Sequence, residues 1–117
     1  MRSETNLKII EFLTNRAKSA SCISYKDLAH IVGIEKPPII STLTDLLENT
    51  VVDDFRQKKP ILAALVVQKG SKQVPRHGFF LKLHELGVVN IDESNFDEVS
   101  WHQAELEKLK KYYNNDT

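Results

Sequence analysis

The residues best suited to chemistry in this sequence are cations without counter-ions. Between positions 55 and 84 stand Arg56, Lys58, Lys59, Lys69, Lys72, Arg76 and Lys82, with no Asp or Glu among them. This window carries +7, against −2 for residues 1–54 and −5 for residues 85–117, so a formal net charge of zero conceals a strong local asymmetry. Clustered cations can neutralise phosphates, which gives affinity without reading base sequence. The same lysines can also serve simply to keep an exposed strand edge from aggregating. Lys58, Lys59, Lys69, Lys72, Arg76 and His77 are the candidate phosphate contacts, and Gln73 is placed to reach a groove edge.

Other chemistries find little support. His30, His77, His84 and His102 show no metal-ligand spacing with one another, with Cys22 or with a carboxylate. There is no nucleophile elbow, phosphate loop or glycine fingerprint. A metal-dependent nuclease would need an acid two residues before the lysine of its central strand, and Val67 stands there, before Lys69. Asp53–Asp54 reads as a helix exit. The expectation is a non-enzymatic protein without metal or cofactor. One cysteine excludes an internal disulfide framework and fits a reducing compartment, with Cys22 as a packed thiol. The longest apolar run, residues 61–67, is too short to span a bilayer, and the first ten residues lack a secretory signal. A cytoplasmic protein with no membrane role is expected.

The elements that must position the cations are legible as periodicities. With 117 residues, 41% of them hydrophobic, the chain fits one domain, 1–117, with a real core. Residues 4–18 predict a first helix, with Leu7, Ile10, Leu13 and Ala17 on its apolar face. Ser24 caps a second helix, with Asp27 three residues on, an inward face of Tyr25, Leu28, Ala29 and Val32, and Gly33 at its end. A short turn at 34–36 leads to a third helix with Pro37 and Pro38 in its first turn, fading near Asn49. Its inner arc holds Ile39, Ile40, Leu43, Leu46 and Leu47. Its outer face holds Ser41, Thr44, Asp45 and Glu48.

Residues 51–59 then read as a charged link and residues 61–68 as a buried strand. A turn-rich loop follows at 69–77 and a return strand at 78–83, with 87–91 as a third strand or an extended link. Ser100 with Gln103 offers a capping start for a last helix within 96–113, in which Trp101, Ala104, Leu109 and Tyr112 share a face. Three helices at 4–49, a basic hairpin at 60–91 and an added C-terminal helix make an α+β winged helix-turn-helix.

Residues 23–80 carry a closer likeness. The run Ile23-Ser24-Tyr25-Lys26-Asp27-Leu28-Ala29 with Gly33, then Pro60, Ile61, Leu62, Val66, Val67, Gly78 and Phe79, resembles the DNA-binding domain of methylguanine-DNA methyltransferases and alkyltransferase-like proteins. The resemblance implies a DNA-facing helix-turn-helix. It does not extend to the chemistry. Where those enzymes carry a Pro-Cys-His-Arg box, this chain has Leu62-Ala63-Ala64-Leu65, so alkyl transfer is excluded. The arginine that enters the base stack has no counterpart near Pro38, Ile39 and Ile40.

Double-stranded DNA is therefore the expected partner. The wing is expected to dominate contact, because Asp45 and Glu48 on the third helix repel phosphates and leave only Lys36, Ser41, Thr42 and Thr44 compatible there. The alternative is a protein adaptor or inhibitor of the same fold. It would form a homodimer or hold a protein partner through the C-terminal helix, using the aromatic residues Phe96, Trp101, Tyr112 and Tyr113.

Overall fold

The computed structural model describes residues 3–70 and 73–114. Five helices surround a short buried segment and a two-stranded parallel sheet. Helix α1 (Glu4–Ala17) starts at Ser3, whose hydroxyl accepts the Asn6 amide at 3.1 Å. Its buried stripe is Asn6, Ile9, Leu13 and Ala17, one position round from the expected face, and Leu7 is 53% exposed. A polar residue can take the inner position because the Asn6 side chain donates to the Leu46 carbonyl at 3.4 Å.

Strand β1 (Ile23–Ser24) runs straight into helix α2 (Tyr25–Ile31). Ser24 is the N-cap as expected, its hydroxyl accepting the Asp27 amide at 3.1 Å. Tyr25, Leu28, Ala29 and Val32 are all buried. Gly33 has φ +82°, the left-handed conformation that ends such helices, and the Ile34 amide then donates to the Ala29 carbonyl at 2.9 Å.

Helix α3 (Ile39–Arg56) departs from expectation at both ends. Pro37 and Pro38 precede it, with Pro38 extended at the N-cap, and Lys36 and Pro37, each followed by a proline, are disfavoured in the helical region. The turn before it is accordingly longer than three residues. At the other end the helix runs to Arg56, through the stretch expected to be a link. Thr50, Val51 and Asp54 continue the buried stripe of Leu43 and Leu47.

The largest correction concerns residues 60–91: no hairpin forms among the described residues. Residues 61–67 are buried, as expected of a central strand, but Leu62–Leu65 is a 3₁₀ turn and only Val66–Val67 is extended. This strand, β2, pairs in parallel with β1, in the register Ile23 with Val66 and Ser24 with Val67. The expected return strand is helix α4 (His77–Glu85), because Phe79, Phe80 and Leu83 make a helical rather than an alternating apolar stripe. Gly87, at φ +83°, closes that helix, and the Val88 amide donates back to the Leu83 carbonyl at 2.9 Å. The fold is therefore mixed α and β, mostly helical, without the expected β-wing.

The last helix, α5 (Glu98–Asn114), starts with Asp97 accepting the Ser100 amide at 3.1 Å, in place of the expected Ser100 cap. It buries His102, Glu105 and Leu109, while Ala104 and Tyr112 face solvent.

The 3₁₀ segment explains the buried charges. It packs among α1, α3 and α5, where its amides have no strand partner. Asp54 of α3 accepts the Leu62 amide at 3.0 Å, and Glu105 of α5 accepts the Ile61 amide at 2.8 Å. Asp54→Ala leaves a buried N–H without its acceptor and is expected to cost about 1–3 kcal/mol, with Asp54→Asn costing less. Urea unfolding of both variants measures this, and an Ala variant as stable as the parent would contradict the role assigned to Asp54.

Candidate nucleic-acid interface

The basic window is divided by the fold. Of its middle part, residues 68–70 and 73–76 are described, and Arg76 is brought against the start of α2. The Gln68 amide donates to the Val74 carbonyl at 2.9 Å, and the Gln68 side chain to the Pro75 carbonyl at 3.4 Å, which closes the loop on itself. Tyr25 then fastens the loop to α2. Its ring is buried, its hydroxyl accepts the Arg76 amide at 2.9 Å, and the Arg76 guanidinium lies 5.9 Å from its ring centroid. Burial raises the Tyr25 hydroxyl above its ordinary pKa, with the Arg76 amide and charge opposing, so it stays a neutral phenol.

The result is an open cleft of about 540 Å³ between the loop and the helix. Arg16, His30, Lys69 and Gln73 line it, with Asp27 the one acid. Cys22 also lines it, half-buried. Burial raises its thiol pKa against the pull of Arg16, which fits a packed thiol. Next to it, Tyr25, Arg76 and Lys82 share a narrower cleft with Thr44 and Glu48 of α3. The two clefts have no lining residue in common, but Ser24 of the first and Tyr25 of the second are neighbours in sequence.

The predicted nucleic-acid residues distribute as follows. Lys69 and Gln73 line the first cleft, and Arg76 and Thr44 the second. Ser41, one turn before Thr44 on the same face of α3, is exposed, as are Lys36 and Thr42. The Thr42 and Thr44 hydroxyls donate to the carbonyls four residues back, at 2.7 and 2.8 Å, and keep their lone pairs for a ligand. Lys72 lies outside the described residues. His77 turns the other way, with Nδ1 3.9 Å from a Glu98 carboxylate oxygen at the start of α5. Lys58 and Lys59 line a separate groove beside α5, so the structure does not join them to Lys69 and Arg76.

The aromatic residues expected at an interface mostly complete the core. Trp101 packs on Phe79 and Phe80 at ring distances of 5.7 and 5.9 Å, and Phe96 on Phe80 at 6.0 Å. Tyr113 is half-buried against Tyr112, and burial, with the Asp54 charge adding to it, pushes its hydroxyl up to about 12. Tyr112 alone of the four is exposed.

No protein-family model, curated protein or solved structure matches the chain. Among the described residues no three of His, Cys, Asp and Glu gather as metal ligands, and no helix is long and apolar enough to cross a membrane.

Sequence reasoning missed the polar clamp that holds this architecture. Asp54 was read as a helix exit, and His102 and Glu105 carried no motif. His102 Nε2 lies 2.7 Å from the Ala64 carbonyl oxygen, in the buried 3₁₀ turn. Burial lowers its pKa below the ordinary 6.5, outweighing the hydrogen bond, which acts in the opposite sense.

The unfolded chain therefore takes up this proton at a higher pH than the folded one. The His102 contribution to stability is fully present above about pH 6.5 and is lost as pH falls through the lowered folded value. Unfolding free energy measured between pH 7.5 and 5 should decline. His102→Gln, which can still donate to Ala64, should flatten that decline, and an unchanged slope in the variant would rule out His102 as its source.

Proposed function

We infer that this chain is a DNA-binding domain that contacts the duplex backbone through residues 68–76 and the α2–α3 helix pair. The supporting observation is the Tyr25–Arg76 junction. It holds a basic loop beside the first turn of α2, with Arg76 over the Tyr25 ring and Arg16, His30 and Lys69 lining the neighbouring cleft, where Asp27 is the one acid. Cations held by backbone and ring contacts need less ordering on binding than cations on a free loop.

The contact surface is thus a loop braced on a helix-turn-helix, and not the β-wing expected from sequence. Within this reading Lys69 and Arg76 neutralise phosphates, Gln73 stands closest to a groove edge, and Ser41 and Thr44 offer hydroxyls from α3. Asp45 and Glu48 keep the middle of α3 away from the duplex, which fits backbone contact with little base readout. The likeness of residues 23–80 to methylguanine-DNA methyltransferases supports the same surface. The Leu62–Leu65 turn bears only aliphatic side chains, so binding without alkyl transfer is the activity proposed.

The test is binding of a labelled duplex across a salt series. The parent should bind more weakly as salt rises. A variant carrying Lys69→Ala and Arg76→Ala should bind more weakly than the parent, and its slope of log K on log salt should be shallower by about 2. Tyr25→Phe removes the acceptor for the Arg76 amide without removing a charge, and should weaken binding at unchanged slope. Absence of binding at low salt, or equal affinities for parent and double variant, would refute the reading.

A further inference from the structure

Lys58 and Lys59 are left unused by the surface described above, and they stand at the edge of a different feature. A groove of about 690 Å³ runs between the end of α3 and the outer face of α5. Its walls and floor are apolar: Phe55, Pro60, Ile61, Val88 and Tyr112. Phe55, Val88 and Tyr112 are 40%, 37% and 44% exposed, so three of the largest solvent-facing apolar side chains converge on one place. Convergence of this kind marks an interaction site more often than scattered exposure does.

The rim has one sign of charge. Lys58, Lys59, Lys108 and Lys111 all border the groove. Its one acid, Glu105, is buried and already engaged, accepting the Ile61 amide at 2.8 Å and lying 3.8 Å from Lys108 Nζ. The side walls are pre-formed. Tyr112 is held edge-on to Tyr113 at a ring distance of 4.9 Å, and Tyr113 is itself packed against the core.

Lys58 has a backbone geometry that a lysine rarely adopts. Its φ is +58°, the left-handed position that glycine fills at Gly33 and Gly87. A side chain with a Cβ is disfavoured there. The groove rim thus keeps a positive charge where local stability favours glycine.

We propose that this groove binds an acidic peptide segment of a protein partner, with an apolar side chain inserted between Phe55, Val88 and Tyr112 and its carboxylates facing the four lysines. The charge of the rim selects an anionic partner. The floor selects a peptide over a nucleic acid. Pro60, Ile61 and Val88 reward an aliphatic or aromatic side chain, whereas a base laid on them would leave its ring nitrogens and amino groups without partners. The acidic stretch of residues 92–98 in a second copy does not fit, because its apolar residue, Phe96, is packed on Phe80 of its own core.

The experiment uses the full chain and a fluorescein-labelled peptide of Asp and Glu with a central Leu-Phe-Leu. Fluorescence anisotropy compares it with the same peptide carrying Ser in place of the three apolar residues, and with single-stranded oligo-dT of matched length. The Ser peptide should bind about tenfold more weakly or worse.

The double variant Lys58→Glu, Lys111→Glu and the single variant Phe55→Ala should each lose at least about fivefold, while their duplex-DNA binding stays that of the parent. Lys58→Gly gives a separate readout, since it should unfold at a higher temperature than the parent yet bind the peptide less tightly. The proposal fails if the Ser peptide binds equally, if the variants bind as the parent does, if oligo-dT binds more tightly than the peptide, or if light scattering shows a dimer that Phe55→Ala abolishes.

Discussion

The structure is arranged around five buried residues whose first two amides find their acceptors in side chains from other elements. Residues 61–65 lie among helices where no strand ladder reaches them, and an unmet amide in such a place costs about 1–3 kcal/mol. Glu105 and Asp54 accept the first two amides, and His102 sits on the carbonyl of Ala64. The partners come from α3 and α5, so the positions of two helices are set by one short turn. Val66 and Val67 then emerge in a defined place, and their pairing with Ile23 and Ser24 follows from it.

That pairing is what brings a basic loop to a helix terminus. Two residues of parallel strand are too few to stabilise a sheet alone, and Tyr25 extends the contact by bonding Arg76 past the end of β2. One aromatic residue thus serves both sides of the junction, its ring in the core and its hydroxyl on the loop. Lys69 ends up in one cleft, and Lys58 and Lys59 in another that shares no lining residue with it. One is open and polar; the other is apolar with a charged rim. A single charge count over the window could not distinguish them.

Local signals were read well. The Ser24 cap, the Gly33 stop, the inward face of α2 and the existence of α5 depend on neighbours within a few residues, and the structure has each of them. The run at 61–67 exposed the weak point. Seven apolar residues in a row have no period, so burial was legible and conformation was not. What decides the conformation arrives from residues 54, 102 and 105, which as Asp, His and Glu carried the appearance of surface residues. Residues 78–83 failed differently. Gly-Phe-Phe-Leu-Lys-Leu is short enough to suit either period, and only the packing of Phe79, Phe80 and Leu83 on one side settles it as helix. For the binding surface, Lys69, Gln73 and Arg76 were found because they are close in sequence. The separation of Lys58 and Lys59 was hidden because α3 runs seven residues further than its apolar pattern suggested.

The reach of the clamp across the chain also bears on how the protein is made. Residues 61–65 leave the ribosome well before residues 102 and 105, and the Asn114 side chain closes the fold by donating to the carbonyl of Lys18 at 2.6 Å. Without α5, the centre of the domain holds the Ile61 amide without its acceptor and Phe79 and Phe80 without Trp101. Helix α5 is therefore part of the core and not an appendage to the residues before it.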